Sequence, residues 1–214
     1  PLLDVRDLEV RFGKGEKAVR AVNGVSFALR RGEVLGILGE SGSGKSVMMR
    51  SLIGLLPRRA SVSGSVDLEG VDVLSLKPRA LRALRGSRVA MIFQEPMTAF
   101  DPVYTLGRQI TETIRRHDGV SQEMAAKRAL ELFDLVAIPS AKSRLGNFPH
   151  EMSGGMRQRA MIALALACRP SVLLADEPTT ALDVTVQIQI LLLLRRLQSE
   201  LDMSVIFVTH DIGV

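Results

Sequence analysis

The chain has 214 residues, 46% of them hydrophobic and 24% charged, enough to bury the core of one domain and too apolar for a disordered polymer. Aromatic residues make up only 4%, which excludes a platform for stacking single-stranded nucleic acid, while a formal net charge of +5 suits an anionic partner without choosing among nucleotide, nucleic acid and membrane. The one cysteine, Cys168, excludes an internal disulfide and, following the apolar residues 161–167, reads as a buried structural thiol.

In chain order, residues 3–12 and 25–30 pattern as strands, with Gly13, Gly15, Asn23 and Gly24 as turn signals between them. They predict an antiparallel lobe at the start. Four later runs rich in Val, Ile and Leu, at 33–38, 88–93, 171–175 and 204–209, read as parallel strands buried on both faces. Helical patterns lie between and beyond them: 46–56, ending at Pro57; 121–137, with Ser121 as N-cap and Pro139 past the end; 156–168; and 184–201. Alternation of strand and helix predicts an α/β sheet with helices on both faces. The longest apolar runs, 161–168 and 190–194, fall well short of the roughly 18 residues that cross a bilayer. No signal peptide is expected, and a role in transport would be served from the cytoplasmic side, docked to other chains.

Residues Gly39, Glu40, Ser41, Gly42, Ser43, Gly44, Lys45 and Ser46 fit the phosphate-loop pattern G-x-x-x-x-G-K-[ST], between a predicted strand and a predicted helix. Glycines let successive backbone N–H groups converge on phosphate oxygens; Lys45 would reach the β- and γ-phosphates and the Ser46 hydroxyl would ligate Mg²⁺. Asp176 and Glu177 end an apolar strand, Asp176 suiting the Mg²⁺ shell and Glu177, on the opposite face, suiting the orientation or deprotonation of a water. Gln94 and His210 also end predicted strands, so a parallel sheet places all four groups along one edge, where ligands bind. Gln94 is a candidate contact to Mg²⁺ or water, and His210 a candidate hydrogen-bond partner of the γ-phosphate or the water. Ser153, Gly154 and Gly155, opening the helix 156–168, form a second helix-start anion cradle that a simple phosphate-loop enzyme does not need.

The order of these motifs resembles the ATPase subunit of ABC transporters over essentially the whole chain. The strings 39–46, Phe93-Gln94-Glu95-Pro96-Met97-Thr98, 149–159 and 175–183 narrow the resemblance to bacterial importers of dipeptides, oligopeptides, nickel or related small solutes. It implies an α/β fold: a P-loop NTPase core of the ABC ATPase kind, with a parallel sheet flanked by helices, an antiparallel N-terminal β lobe and a helical subdomain at about 96–168 that carries the signature. Residues 1–214 are expected to form one nucleotide-binding domain, cut short after the region of His210.

The resemblance further implies ATP and Mg²⁺ as ligands and hydrolysis of ATP. Two such subunits, identical or related, would stack head to tail so that Ser153, Gly154 and Gly155 of one grip ATP held by the phosphate loop of the other. Asp183, within the string Ala181-Leu182-Asp183, would contact the opposing subunit, His210 would sense the γ-phosphate, and Phe12 would stack on adenine. Residues 95–106 would face transmembrane permease subunits, with a solute-binding protein as an indirect partner, at the cytoplasmic face of the bacterial inner membrane. The chain departs from the commonest signature by carrying Met152 and Met156 where Leu and Gln are usual. A DNA-repair ATPase of the same kind would need a long coiled-coil insertion, for which Gln94 and Ser153 stand too close; no nucleic acid is expected.

Overall fold

The computed structural model describes residues 1–13, 15, 18–180 and 182–210. Ala181 and residues 211–214, which belong to the strings and span read from the sequence, lie outside the described residues.

Strand β1 (Leu3–Phe12) buries Leu3 and Val5, then Leu8 and Val10. Strict alternation would turn Leu8 and Val10 outward, but the pairing register shifts across residues 6–7, where Asp7 adopts a left-handed φ of 46°, and the bulge returns the next pair to the core. Strand β2 (Val19–Leu29) pairs antiparallel with β1. The sequence predicts a strand only over 25–30 with a turn at Asn23 and Gly24; instead β2 runs through both. Gly24, at φ 67°, sits in a bulge between the pairs Leu8–Val25 and Val10–Val22, so ladder pairing on either side overrides the local turn preference. Strands β4 (Ala60–Leu68) and β5 (Val71–Asp72) complete a four-stranded sheet in the order β2-β1-β4-β5.

The second sheet has the order β3-β8-β7-β6 and is parallel throughout, with β3 at Val34–Leu38, β6 at Val89–Ile92, β7 at Val172–Asp176 and β8 at Ser204–Thr209. Strands β6 and β7 bury both faces, which explains their unbroken apolar runs. Val89, Met91, Val172, Leu174, Ile206 and Val208 enter a core shared with the antiparallel sheet and with helix α1 (Lys45–Ser51). Their neighbours Ala90, Ile92, Leu173 and Val205 enter a second core under helices α3 (Leu106–Asp118), α4 (Gln122–Leu135), α6 (Gly154–Leu166) and α7 (Val184–Glu200). Period-2 alternation therefore divides the two cores. β3 is an outer strand, and its Val34 and Leu38 are exposed.

Helix α1 stops at Ser51, short of the expected 56, because Gly54 turns left-handed at φ 61°. Its end is held from α2 (Pro78–Ser87), which breaks at Arg85 and Gly86; the Arg85 guanidinium donates to the carbonyls of Ile53 (2.7 Å) and Gly54 (2.6 Å). Between β6 and β7 the chain forms α3, α4, the short α5 (Ala141–Arg144) and α6, with side-chain caps from Thr105 on α3 and Ser121 on α4. Cys168 is half-buried, less enclosed than the sequence suggests; burial first, then the nearby Asp118, pushes its thiol up to about 11, so it stays protonated and unreactive near neutral pH. Among the described residues, no helix is long and apolar enough to cross a membrane.

Candidate functional site

Four segments reach the carboxyl edge of the parallel sheet: the loop 39–44 after β3, Gln94 after β6, Asp176 and Glu177 at the end of β7, and His210 after β8. Gly44 is the N-cap of α1 with φ 91°, and a Cβ there would stand 2.0 Å from the Ala21 carbonyl oxygen of β2. Both the left-handed backbone and the close approach demand glycine. Glu40, Ser41, Gly42 and Ser43 are exposed, so the loop is accessible from solvent, whereas Lys45 is 8% exposed. Its ammonium donates to the carbonyls of Gly39 (2.6 Å) and Glu40 (2.6 Å). Replacing Gly44 with Ala is expected to weaken nucleotide binding by about five- to thirtyfold, the equivalent of the about 1–2 kcal/mol that left-handed strain costs. Titration with a fluorescent ATP analogue checks this.

The Ser46 hydroxyl donates to Asp176 Oδ1 at 2.9 Å, joining the start of α1 to the end of β7. Asp176 is 1% exposed, and burial raises its carboxyl above the ordinary range despite the opposing effects of the Ser46 hydrogen bond and of Arg50. A raised acid binds its proton more tightly in the folded chain than in the unfolded one, so ionised Asp176 opposes folding once pH exceeds the ordinary carboxylate range, a cost a bound cation would offset. A hydroxyl and a desolvated carboxylate side by side are hard oxygen donors, and this donor set fits Mg²⁺.

Glu177 leaves the strand with φ 47°, its N–H donating to the Val208 carbonyl at 3.0 Å. Its carboxylate gathers groups from several elements. Oε2 accepts from Gln94 Nε2 at 3.2 Å and from Thr180 Oγ1 at 3.1 Å, and His210 Nδ1 stands 3.0 Å from the same oxygen. Oε1 lies 3.8 Å from the Lys45 ammonium. The sheet edge thus brings Lys45, Ser46, Gln94, Asp176, Glu177 and His210 together. Gln94 and His210, read from the sequence as facing metal, water or phosphate, both address Glu177. Thr180 lies within the string 175–183, but the sequence assigns it no role: its only signal is a hydroxyl three residues after a strand-end acid, a spacing that also fits an ordinary turn.

Ser153 is the N-cap of α6, accepting from the Met156 N–H at 3.4 Å, and Asp183 is the N-cap of α7, accepting from the Val186 N–H at 3.0 Å. A Cβ on Gly155 would stand 2.8 Å from Val186 Cγ1, so the start of α6 lies against the first turn of α7. No hydrogen bond or ion pair among the described residues joins Ser153, Gly154, Gly155 or Asp183 to Lys45, Ser46, Asp176 or Glu177. Phe12 ends β1 opposite Val19 and Ala60, half-buried against the core between the sheets. A cavity of about 530 Å³ beside the phosphate loop is lined by Arg20, Val22, Leu38, Ser43 and Lys45 among others, and Phe12 is not in its wall.

Residues 22–180 match the ABC transporter family, and the chain belongs to it. It is 54% identical over its whole length to the probable peptide ABC transporter ATP-binding protein y4tR of Sinorhizobium fredii, and 49% identical to the oligopeptide transport ATP-binding protein OppD of Bacillus subtilis. The chain covers 64% of the first and 60% of the second, so it spans less than two thirds of these relatives. Its fold matches the dimeric post-hydrolysis structure of the ATP-binding cassette MJ0796 bound to ADP and Pi, with a TM-score of 0.85 at 30% identity, over 99% of this chain and 89% of that one.

Proposed function

We propose that this chain is the ATP-binding and ATP-hydrolysing unit of an importer for peptides, nickel or a related small solute, working at the cytoplasmic face of the bacterial inner membrane. Residues 1–214 act as one nucleotide-binding domain, with a helical subdomain at about 96–168. The observation that carries the reading is the clustering on Glu177: a carboxylate gripped by Gln94, Thr180 and His210, 3.8 Å from Lys45 and next in sequence to the Ser46–Asp176 pair. The printed names of the relatives, which describe peptide and oligopeptide transport, support the substrate class.

ATP lies with its phosphates against the backbone of residues 39–46 and with Lys45 on the β- and γ-phosphates. Bound Mg²⁺, held by Ser46 and Asp176, would neutralise charge on the phosphate oxygens. Glu177 orients a water in line with the γ-phosphorus and takes its proton as the new P–O bond forms; the bond to the β-phosphate oxygen breaks, leaving ADP and phosphate. Gln94 and His210 hold Glu177 and stand at the water's flank. Phe12 offers a face for adenine from the end of β1.

In the proposed pairing, a second subunit, identical or related, closes Ser153, Gly154 and Gly155 over the ATP, with Asp183 at the seam. The dimeric state of the MJ0796 cassette supports this arrangement. Residues 95–106 then face permease subunits, through which a solute-binding protein delivers cargo. Replacing Ser153 with Arg is expected to leave ATP binding to the single subunit unchanged and to abolish ATP-driven pairing, read by light scattering with the Glu177→Gln protein as background. Undiminished pairing would count against the role of Ser153, and absence of ATP-dependent phosphate release from the full-length protein with its membrane partners would overturn the function.

A further inference from the structure

We propose that Thr180 is a positioning residue for hydrolysis, its hydroxyl fixing the Glu177 carboxylate in the orientation that meets the water. The inference rests on the reading of Glu177 as the base. Four polar groups meet that carboxylate, and three come from elsewhere in the fold: Gln94 after β6, His210 after β8 and Lys45 at the start of α1. Contacts between separate elements change when a ligand shifts those elements. Lys45, Gln94 and His210 also have work at the phosphate or the water in the proposed function, so each divides its contacts between Glu177 and the ligand.

Thr180 differs in being local. Its N–H donates to the Glu177 carbonyl at 3.2 Å while its hydroxyl donates to Oε2 at 3.1 Å, so backbone and side chain both fold back onto the same residue. Pro178 fixes φ within that turn. Such a turn also restrains Glu177 itself, whose left-handed φ of 47° is unfavourable for a residue with a β-carbon. Glu177, Thr180, Thr209 and His210 line a cavity of about 170 Å³, and the Glu177 side chain is 11% exposed. The carboxylate thus has a fixed wall on the Thr180 side and open space beyond, which is the geometry a water needs.

The test replaces Thr180 with Val, which keeps the shape and removes the donor, in the full-length chain. The expected result is kcat lowered about tenfold, the effect of losing one hydrogen bond to a charged group, with ATP KM and affinity within about twofold of the parent. Thr180→Ser should restore kcat. Because the hydroxyl acts through Glu177, Thr180→Val made in the Glu177→Gln background should cause no further loss. If the Val protein does not fold, Thr180→Ala is measured by the same criteria. Parental kcat in the Val or Ala protein, no rescue by Ser, or an additive loss in the Glu177→Gln background would overturn the role of Thr180. Full hydrolysis by Glu177→Gln alone would instead overturn the reading of Glu177 on which it depends.

Discussion

Replacing Glu177 with Gln is expected to cut phosphate release by about 10²–10⁴-fold, the contribution of a positioned general base, while ATP binds at least as tightly as before. Both halves follow from the same geometry. Gln keeps the length and shape of the side chain and still offers an oxygen to Thr180 and Gln94, so the site remains assembled. It has no negative charge to accept a proton or to compete with phosphate for Lys45, which stands 3.8 Å from the carboxylate. Single-turnover phosphate release and equilibrium nucleotide titration separate the two effects. Unaltered release would remove Glu177 from the chemistry.

Replacing Lys45 with Ala should fail in a different way, with loss of binding and of turnover together. Lys45 is 8% exposed and donates to two loop carbonyls, so its removal deletes the cation and leaves the Gly39 and Glu40 carbonyls without that donor. A preorganised cation that follows charge onto the transferred group is worth about 10²–10³-fold in rate. The loss of ground-state contact with the phosphates adds a fall in affinity of about tenfold or more. Titration of Lys45→Ala beside Glu177→Gln gives the discriminating pattern: the first protein binds poorly, the second binds well and does not turn over. Tight ATP binding by Lys45→Ala would place the phosphates away from the loop.

The parts of the site legible in the sequence are those that chemistry requires as a string. Residues 39–46 and the pair Asp176–Glu177 follow short apolar strands, β7 buried on both faces and β3 partly exposed at the sheet's edge, and their edge-sharing follows from parallel topology. Gln94 and His210 were reachable by the same topological argument, but their attachment to Glu177 depends on side-chain directions that sequence periodicity does not contain. Thr180 was hidden for a related reason, since its importance lies in a hydrogen bond rather than in a residue pattern.

Misreadings of the fold have equally local causes. Strand β4 is ASVSGSVDL, whose serines and central glycine weaken the apolar alternation that marks strands. Helix α2 is rich in arginine, broken at Gly86 and buries only Leu84, whereas α3 is dominated by polar and charged residues that surround its narrow apolar stripe of Leu106, Ile110 and Ile114. Asn23 and Gly24 are a strong turn signal, yet pairing with β1 on both sides makes them a bulge. The Ser153 and Asp183 side chains, read as contacts to a second subunit, also cap α6 and α7 within their own chain, so substitutions there must be checked for helix stability before pairing is judged.

The most direct measurement is a crystal structure of the Glu177→Gln protein with Mg²⁺ and ATP. The triphosphate should run along the amides of 39–46 with Lys45 on its terminal group, Mg²⁺ should touch Ser46 and Asp176, and a second copy should present its own Ser153 and Gly155 to the γ-phosphate. Nucleotide seated elsewhere, or Asp176 and residue 177 turned away from the terminal phosphate, would contradict the account.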